Sequence, residues 1–196
     1  EKLAVFIRGV HDRLRAIPGV ESVTAATPFP LAVGFFPIRW GTDEALADAS
    51  KFQATDNQIV LPGYFETMKV PLLEGRTFTD DDNLPGRNFV VVDDILSKKA
   101  FHGQSAVGRR ILIRVRSPQA EWVQIIGVVR HQHENSLAEL GREQVYFTDA
   151  FVGSGRVNFW AIRTQNDPTN YGSVVSAAVR QVDSQVLENE FQTGDA

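Results

Sequence analysis

No cysteine occurs among the 196 residues, which excludes disulfides, Cys-ligated metal and thiol catalysis without naming a compartment. No apolar run approaches the ~20 residues that cross a bilayer as a helix, and there is no signal-peptide pattern. Positive charge is not in excess either. Lys and Arg number 20 against 24 Asp and Glu, a formal net charge of −4, which argues against a nucleic-acid binder relying on a basic surface. Also missing are a Gly-x-x-x-x-Gly-Lys loop, a Gly-x-Gly-x-x-Gly after a strand and a Gly-x-Ser-x-Gly elbow. The chain therefore offers no recognisable nucleotide site or hydrolase nucleophile, and no cofactor is expected.

What is present is the material of a packed core. The chain is 43% hydrophobic and 22% charged, with 13 Phe, 3 Tyr and 3 Trp, too aromatic and too weakly charged for disorder. Its length suits one full-sized domain or two small interlocked ones, able to bury roughly 70% of the unfolded surface. It starts at Glu1 rather than Met and is read as a piece of something longer.

Leu3, Phe6, Ile7, Val10, Leu14 and Ile17 recur every three or four residues, the apolar stripe of an amphipathic helix over 3–17 that Pro18-Gly19 stops. Val20 to Thr27 alternates as a strand, Pro28 to Phe36 reads as an apolar loop, and Phe36 to Trp40 as a short strand. Thr42 to Ser50 is small and acidic, an exposed hairpin-like excursion from which Phe52 to Leu61 returns as a strand. The character changes at Pro62. A short helix runs to Met68, Leu72-Leu73 leads to Gly75, and Asp80, Asp81 and Asp82 sit in a loop closed by Pro85-Gly86. Phe89 to Val92 is a buried strand, followed by a helix with Ile95, Leu96, Ala100 and Phe101 inward. Arg109 to Arg116 and Trp122 to Val129 form a β-hairpin. Beyond the polar stretch 131–144, Val145 to Phe147 and Asn158 to Thr164 are strands around a flexible Gly153-Ser154-Gly155. A helix starting at Asp167-Pro168 faces inward with Tyr171, Val174, Val175, Ala178, Val179 and Val182, and a last strand spans 186–193. The similar endings of the first and last helices suggest a split βαβ layer with both helices on one face.

The chemical candidates are few. His131 and His133 form a His-x-His beside Glu134; two such side chains on one strand face could share a zinc but need a third ligand, and a polar loop is the alternative. Asp80 to Asp82 reads as a calcium chelate or as a solvated acidic turn. Asp93-Asp94 reads as an acid–base pair or as a helix cap. Phe29, Leu31, Val33, Phe35 and Phe36 lie between two prolines, and they either fold over the core or form a partner-docking surface.

Several segments in order carry a resemblance: Leu14-Arg15-Ala16-Ile17-Pro18-Gly19-Val20-Glu21-Ser22-Val23; Pro62-Gly63-Tyr64-Phe65 with Leu73-Glu74-Gly75-Arg76-Thr77-Phe78; Val90-Val91-Val92-Asp93; Ala106-Val107-Gly108-Arg109-Arg110-Ile111; and Trp122-Val123-Gln124-Ile125-Ile126-Gly127-Val128-Val129. Over residues 3–193 the chain resembles the periplasmic core domain of MacB/FtsX-type ABC transporter permeases, closest in flavour to the acidobacterial duplicated permease group. The resemblance implies an α+β fold with two parts: a porter-like βαβ subdomain built from both chain ends, 1–61 and 143–196, and an inserted strand-rich subdomain, 62–142, of the kind called Sabre in MacB. It implies a periplasmic domain inserted between two transmembrane helices of an inner-membrane permease, so both ends should lie on the membrane side. It implies no catalytic residues, and movement driven by a separate ATPase domain and transmitted to an adaptor, a lipoprotein, a peptide or an enzyme. The stretch from His131 to Gln144 departs from the family pattern, and no partner-contact residues are carried over to it. Two other function classes are weighed beside it: a metal-dependent enzyme using His131 and His133, and a small-ligand sensor with an apolar pocket.

Overall fold

The computed structural model describes residues 2–28, 38–132 and 141–182. Helix α1 (Lys2–Arg15) buries Ile7, Val10 and Leu14, and strand β1 (Val20–Thr27) follows after Gly19, which takes φ of 85°. A left-handed glycine after the last turn is the common helix stop, and the adjoining Pro18 prevents continuation. At the other end of the chain, β9 (Phe159–Thr164) pairs antiparallel with β1 from Val20↔Thr164 to Ala26↔Phe159. Helix α5 (Gly172–Val182) then packs on α1, enclosing Val10, Leu14, Ile17, Val20, Val23 and Ala178. The helices run antiparallel. The Tyr171 hydroxyl abuts Gly19, whereas a Cβ built on Gly9 would stand 3.1 Å from Val182 Cγ1. α5 thus runs back along α1 toward the Lys2 end, with Val182 level with the middle of α1: Gly9 is ~10 Å of helix rise from Lys2 and ~9 Å from Arg15.

The remaining strands close on themselves. β2 (Ile38–Gly41) pairs with β6 (Arg110–Arg114), which pairs with β7 (Glu121–Val129), and β7 pairs with β5 (Phe89–Asp93). β5 pairs with β8 (Gln144–Thr148), β8 runs parallel to β3 (Gln53–Val60), and β3 returns to β2 through Ile38↔Thr55 and Trp40↔Gln53. Period-2 alternation sends Ile38, Trp40, Ile111, Ile113, Val123, Ile125, Val90, Val92, Val145 and Phe147 into one buried cluster inside this ring. Leu96 of helix α4 (Asp94–Phe101) and Phe151 join that cluster from beyond the strand ends. Outside the ring, Val91, Ile126 and Tyr146 pack on Tyr64 and Phe65 of the short α3 (Tyr64–Thr67) and on Phe78. β1 joins the ring through β3, at Ala26↔Val60, so the two-helix layer and the ring share one sheet.

Several expectations are corrected. The excursion 42–50 is not a hairpin: it holds the helical turn α2 (Glu44–Ala47) and a 3-10 turn, Ala49–Lys51, whose Asp48 cap accepts the Ser50 N–H. Leu72-Leu73 is not a lead-in but part of a strand, β4 (Leu72–Gly75), which lies beside the end of β7 that β6 leaves unpaired. Asp80–Asn83 is a 3-10 turn closed by a Thr79/Asp82 capping box. Leu3, expected on the buried stripe, is 57% exposed, and Val174 faces solvent as well. The expected final strand at 186–193 lies outside the described residues.

The β4–β7 contact depends on glycine. Gly75 and Gly127 are register partners, and a Cβ at Gly127 would fall 2.1 Å from the Arg76 carbonyl oxygen, a backbone atom that cannot swing aside. Gly127→Ala is expected to cost about 1–3 kcal/mol through this overlap. Urea unfolding measures the loss, and amide exchange at Leu73 and Arg76 should accelerate more than exchange inside the ring.

Candidate functional site

The best-connected polar cluster forms where β5, β7 and β8 meet. Asp93 ends β5 and caps α4: its Oδ1 accepts the Leu96 N–H at 2.8 Å, and its Oδ2 lies 2.7 Å from His131 Nδ1. The neighbouring Asp94 accepts the His131 backbone N–H at 3.0 Å through Oδ1 and the Lys98 ammonium at 2.6 Å through Oδ2. Gln132 and Gln144 bond reciprocally. Gln132 N–H donates to Gln144 Oε1 at 3.0 Å, and Gln144 Nε2 donates to the Gln132 carbonyl at 2.8 Å. The Tyr146 hydroxyl accepts from Gln132 Nε2 at 2.8 Å and donates to Gln144 Oε1 at 3.1 Å. Glu143 at the start of this strand is ion-paired to Lys99 of α4.

The electrostatics follow from burial. Asp93 is fully buried, and desolvation pushes its carboxyl above the usual range against the opposing pull of His131 and of the Leu96 and Gln144 N–H groups. Asp56, on β3, is likewise raised by burial, with Arg142 opposing. Asp94 is lowered: burial works to raise it, but Lys98 and the His131 N–H outweigh that.

Of the two readings of Asp93-Asp94, the cap is the one the contacts display. The cap is real, and the same carboxylate fixes the imidazole of His131, whose side chain is 6% exposed rather than set in a solvated loop. A carboxylate on Nδ1 is how many metal-bound imidazoles are oriented, leaving Nε2 as the ligating atom. Among the described residues, however, no three His, Asp, Glu or Cys side chains gather to hold a metal, and His133 lies outside them. Phe29, Leu31, Val33, Phe35 and Phe36 also lie outside the described residues. Asp80 to Asp82 do not converge on a cation: Asp82 is held by the Arg76 guanidinium and the Thr79 N–H and hydroxyl.

An open cleft of about 440 Å³ lies elsewhere, lined by His11 and Arg15 of α1, Glu21 of β1, Glu66 and Thr67 of α3, and Asp80. Its mixed charges differ from the apolar pocket expected of a small-ligand sensor.

Two features escaped the sequence reading. Gly153-Ser154-Gly155 is not a slack linker: the Asp149 carboxylate accepts the N–H groups of Gly155 at 2.7 Å, Arg156 at 2.7 Å and Val157 at 3.2 Å. The local signal, an acid four residues before a Gly-rich turn, is one that ordinary loop acids share. The basic positions of 109–116 are also not merely solvated. Arg109 lies over Phe101, Arg110 over Trp122, Arg114 over Phe52 and Arg116 over Phe151, at 3.9–5.2 Å from ring centroid to guanidinium.

The fold has solved counterparts. The periplasmic region of MacB from Actinobacillus actinomycetemcomitans matches with a TM-score of 0.63 at 17% identity, covering 89% of this chain and 73% of that one. The extracellular domain of the noncanonical ABC-type transporter YknZ from Gram-positive bacteria matches with a TM-score of 0.60 at 18% identity, over 89% and 81%. A domain of a Porphyromonas gingivalis protein described as a permease matches with a TM-score of 0.52 at 18% identity, over 89% and 70%. At such identities these likenesses establish the α+β fold alone. No match is found among curated proteins. A family model, the MacB-like periplasmic core domain, matches residues 6–192. That match spans the helix layer and the ring alike, and the chain belongs to the MacB-like periplasmic core domain family, as an extracytoplasmic domain of the kind carried by ABC transporter permeases.

Proposed function

We propose that this domain makes and breaks no bonds itself and relays ATP-driven movement of its permease's membrane helices to work done outside the cytoplasmic membrane. The partners in this reading are the transmembrane helices of the same permease, a separate ATPase domain, and an adaptor or lipoprotein beyond the membrane. The observation that supports it most directly is the antiparallel α1–α5 pair, in which α5 runs from Gly19 back toward the Lys2 end of α1, the direction in which two adjacent membrane helices would need it to lead. The same pair packs on β1, which is bonded to β3 of the ring, so displacement of the helices reaches the ring through a packed core and a backbone ladder.

The division into a terminal unit (1–61 and 143–196) and an insert (62–142) belongs to this proposal. In such a division β5 of the insert pairs with β8, and β6 with β2, so the two units would move together. The apolar residues Phe29, Leu31, Val33, Phe35 and Phe36 are proposed as partner-docking residues on the strength of their sequence.

The domain lacks cysteine, so Ser117→Cys in the exposed turn between β6 and β7 gives it a single labelling position. In proteoliposomes holding the complete permease, freed of other cysteines, and its ATPase, energy transfer from this site to acceptor lipids is expected to change on ATP binding and revert after hydrolysis. Constant transfer during active ATP turnover would sink the relay. Calorimetric zinc binding that disappears in a His131→Ala/His133→Ala variant would favour the metal enzyme instead.

A further inference from the structure

The outer face of β2 and β6 carries an arrangement that the relay does not use. Alternation puts Ile38, Trp40, Ile111 and Ile113 inside the ring, so Arg39, Arg110, Leu112 and Arg114 point outward. Arg39 and Arg114 are direct register partners across the ladder, a like-charge juxtaposition that ordinarily destabilises a sheet. Arg110 stands on the same strand face, four residues or about 14 Å along β6. No carboxylate comes within ion-pair distance of any of the three among the described residues. The acids of the neighbouring 43–48 segment do not neutralise them, and Asp48 is turned to the Ser50 N–H and hydroxyl.

The guanidiniums are nonetheless held in place. Arg114 lies 3.9 Å over the Phe52 ring and Arg110 5.2 Å over Trp122, and Arg39 donates to the Phe52 carbonyl at 3.3 Å. Phe52 itself is fixed by packing on Ala45 and Leu112. Arg114 Nε is buried and has no hydrogen-bond acceptor among the described residues. Aromatic stacking leaves the edge of a guanidinium available, and the planar fork suits a carboxylate bidentately. Side chains ordered beforehand lose little entropy on binding.

We propose that this β2–β6 wall is a docking surface for an acidic segment of a partner protein, its carboxylates seated on Arg39, Arg110 and Arg114 and its apolar groups on the half-buried Trp122. A protein segment fits better than an anionic bilayer. At a Debye length of about 8 Å a short acidic segment senses the local cluster. An extended lipid surface faces far more of a molecule whose net charge is −4.

The test uses the whole domain and a dye-labelled peptide of alternating Glu and Ser, followed by fluorescence anisotropy at low salt. The peptide is expected to bind, to weaken as salt rises, and to lose about fivefold or more in affinity in the Arg39→Gln/Arg110→Gln variant, which touches only exposed positions. Arg8→Gln, at an exposed arginine of α1 in the helix layer, should leave affinity unchanged. Arg39→Lys/Arg110→Lys keeps the charge and removes the fork, and should fall between. No binding at low salt, equal binding by wild type and the double Gln variant, or binding to phosphatidylglycerol vesicles in preference to the peptide would each overturn the proposal.

Discussion

Truncating Phe147 to Ala is expected to lower the unfolding free energy by about 3–5 kcal/mol. Phe147 is fully buried at the centre of the ring, and its ring stacks on Phe151 at 5.0 Å with planes 13° apart. It sits on β8, the strand that pairs with both β3 and β5. Val92, Val145 and Ile125 share its buried cluster on strands that the closed ladder holds apart, so little collapse can refill the hole left by its ring. A loss of that size is a large fraction of the stability of a domain, typically about 5–15 kcal/mol. Urea unfolding should show a lower midpoint with an unchanged slope, and Phe147→Leu should recover part of the loss because it refills most of the hole though not the stack on Phe151. A midpoint shift worth under ~1 kcal/mol would mean that the strands do not close around a packed interior.

How far the fold could be read beforehand divides along local and non-local lines. Val20 to Thr27 and Phe89 to Val92 emerged with almost the observed ends, because a half-buried or fully buried strand writes its burial into consecutive residues. α1 emerged from its stripe, although Leu3 lies a full turn before the first buried residue, Ile7, and stays exposed. The ring did not emerge. Its closure rests on β2 meeting β6 and on β8 running parallel to β3 across some ninety residues, pairings that leave no periodic trace. β4 was invisible for a related reason: Leu72 and Leu73 are adjacent exposed leucines without alternation, and they form a strand because β7 is long enough to offer them an edge.

The polar site follows the same rule. The cap at Asp93 could be read from an acid placed between a buried strand and a helix. The burial of His131 could not, since its partner Asp93 lies 38 residues away and its own neighbours are polar. The acid strap of Asp149 and the stacked arginines are likewise contacts between elements, and each residue taken alone reads as an ordinary loop acid or strand cation.

Replacing Asp93 is expected to have the second-largest effect, and its pH dependence has a definite sign. Asp93→Ala removes the acceptor of the Leu96 N–H and the partner of His131 Nδ1 together. A lost cap costs about 1 kcal/mol and an unpaired buried polar group about 1–3, so a loss of about 2–4 kcal/mol at neutral pH is expected. Asp93→Asn keeps an oxygen for the cap and should lose about 1 kcal/mol. Burial raises the Asp93 carboxyl above its ordinary value of 3.8, so the folded state holds that proton more tightly than the unfolded chain does. The stabilising share of Asp93 is therefore complete below 3.8 and is lost as pH rises through the raised folded value. Asp94 and Asp82, both lowered, act oppositely: their shares are present above 3.8 and are lost only as pH falls through their lowered values. Urea unfolding of wild type and Asp93→Asn at a series of pH values from neutral down to the ordinary carboxylate range separates these contributions. The wild type should gain on the variant as pH falls across that window, because the variant carries no carboxyl to protonate there. A wild type that loses ground to Asp93→Asn over the same interval would mean that the interaction with His131, rather than desolvation, governs the ionisation of this buried acid.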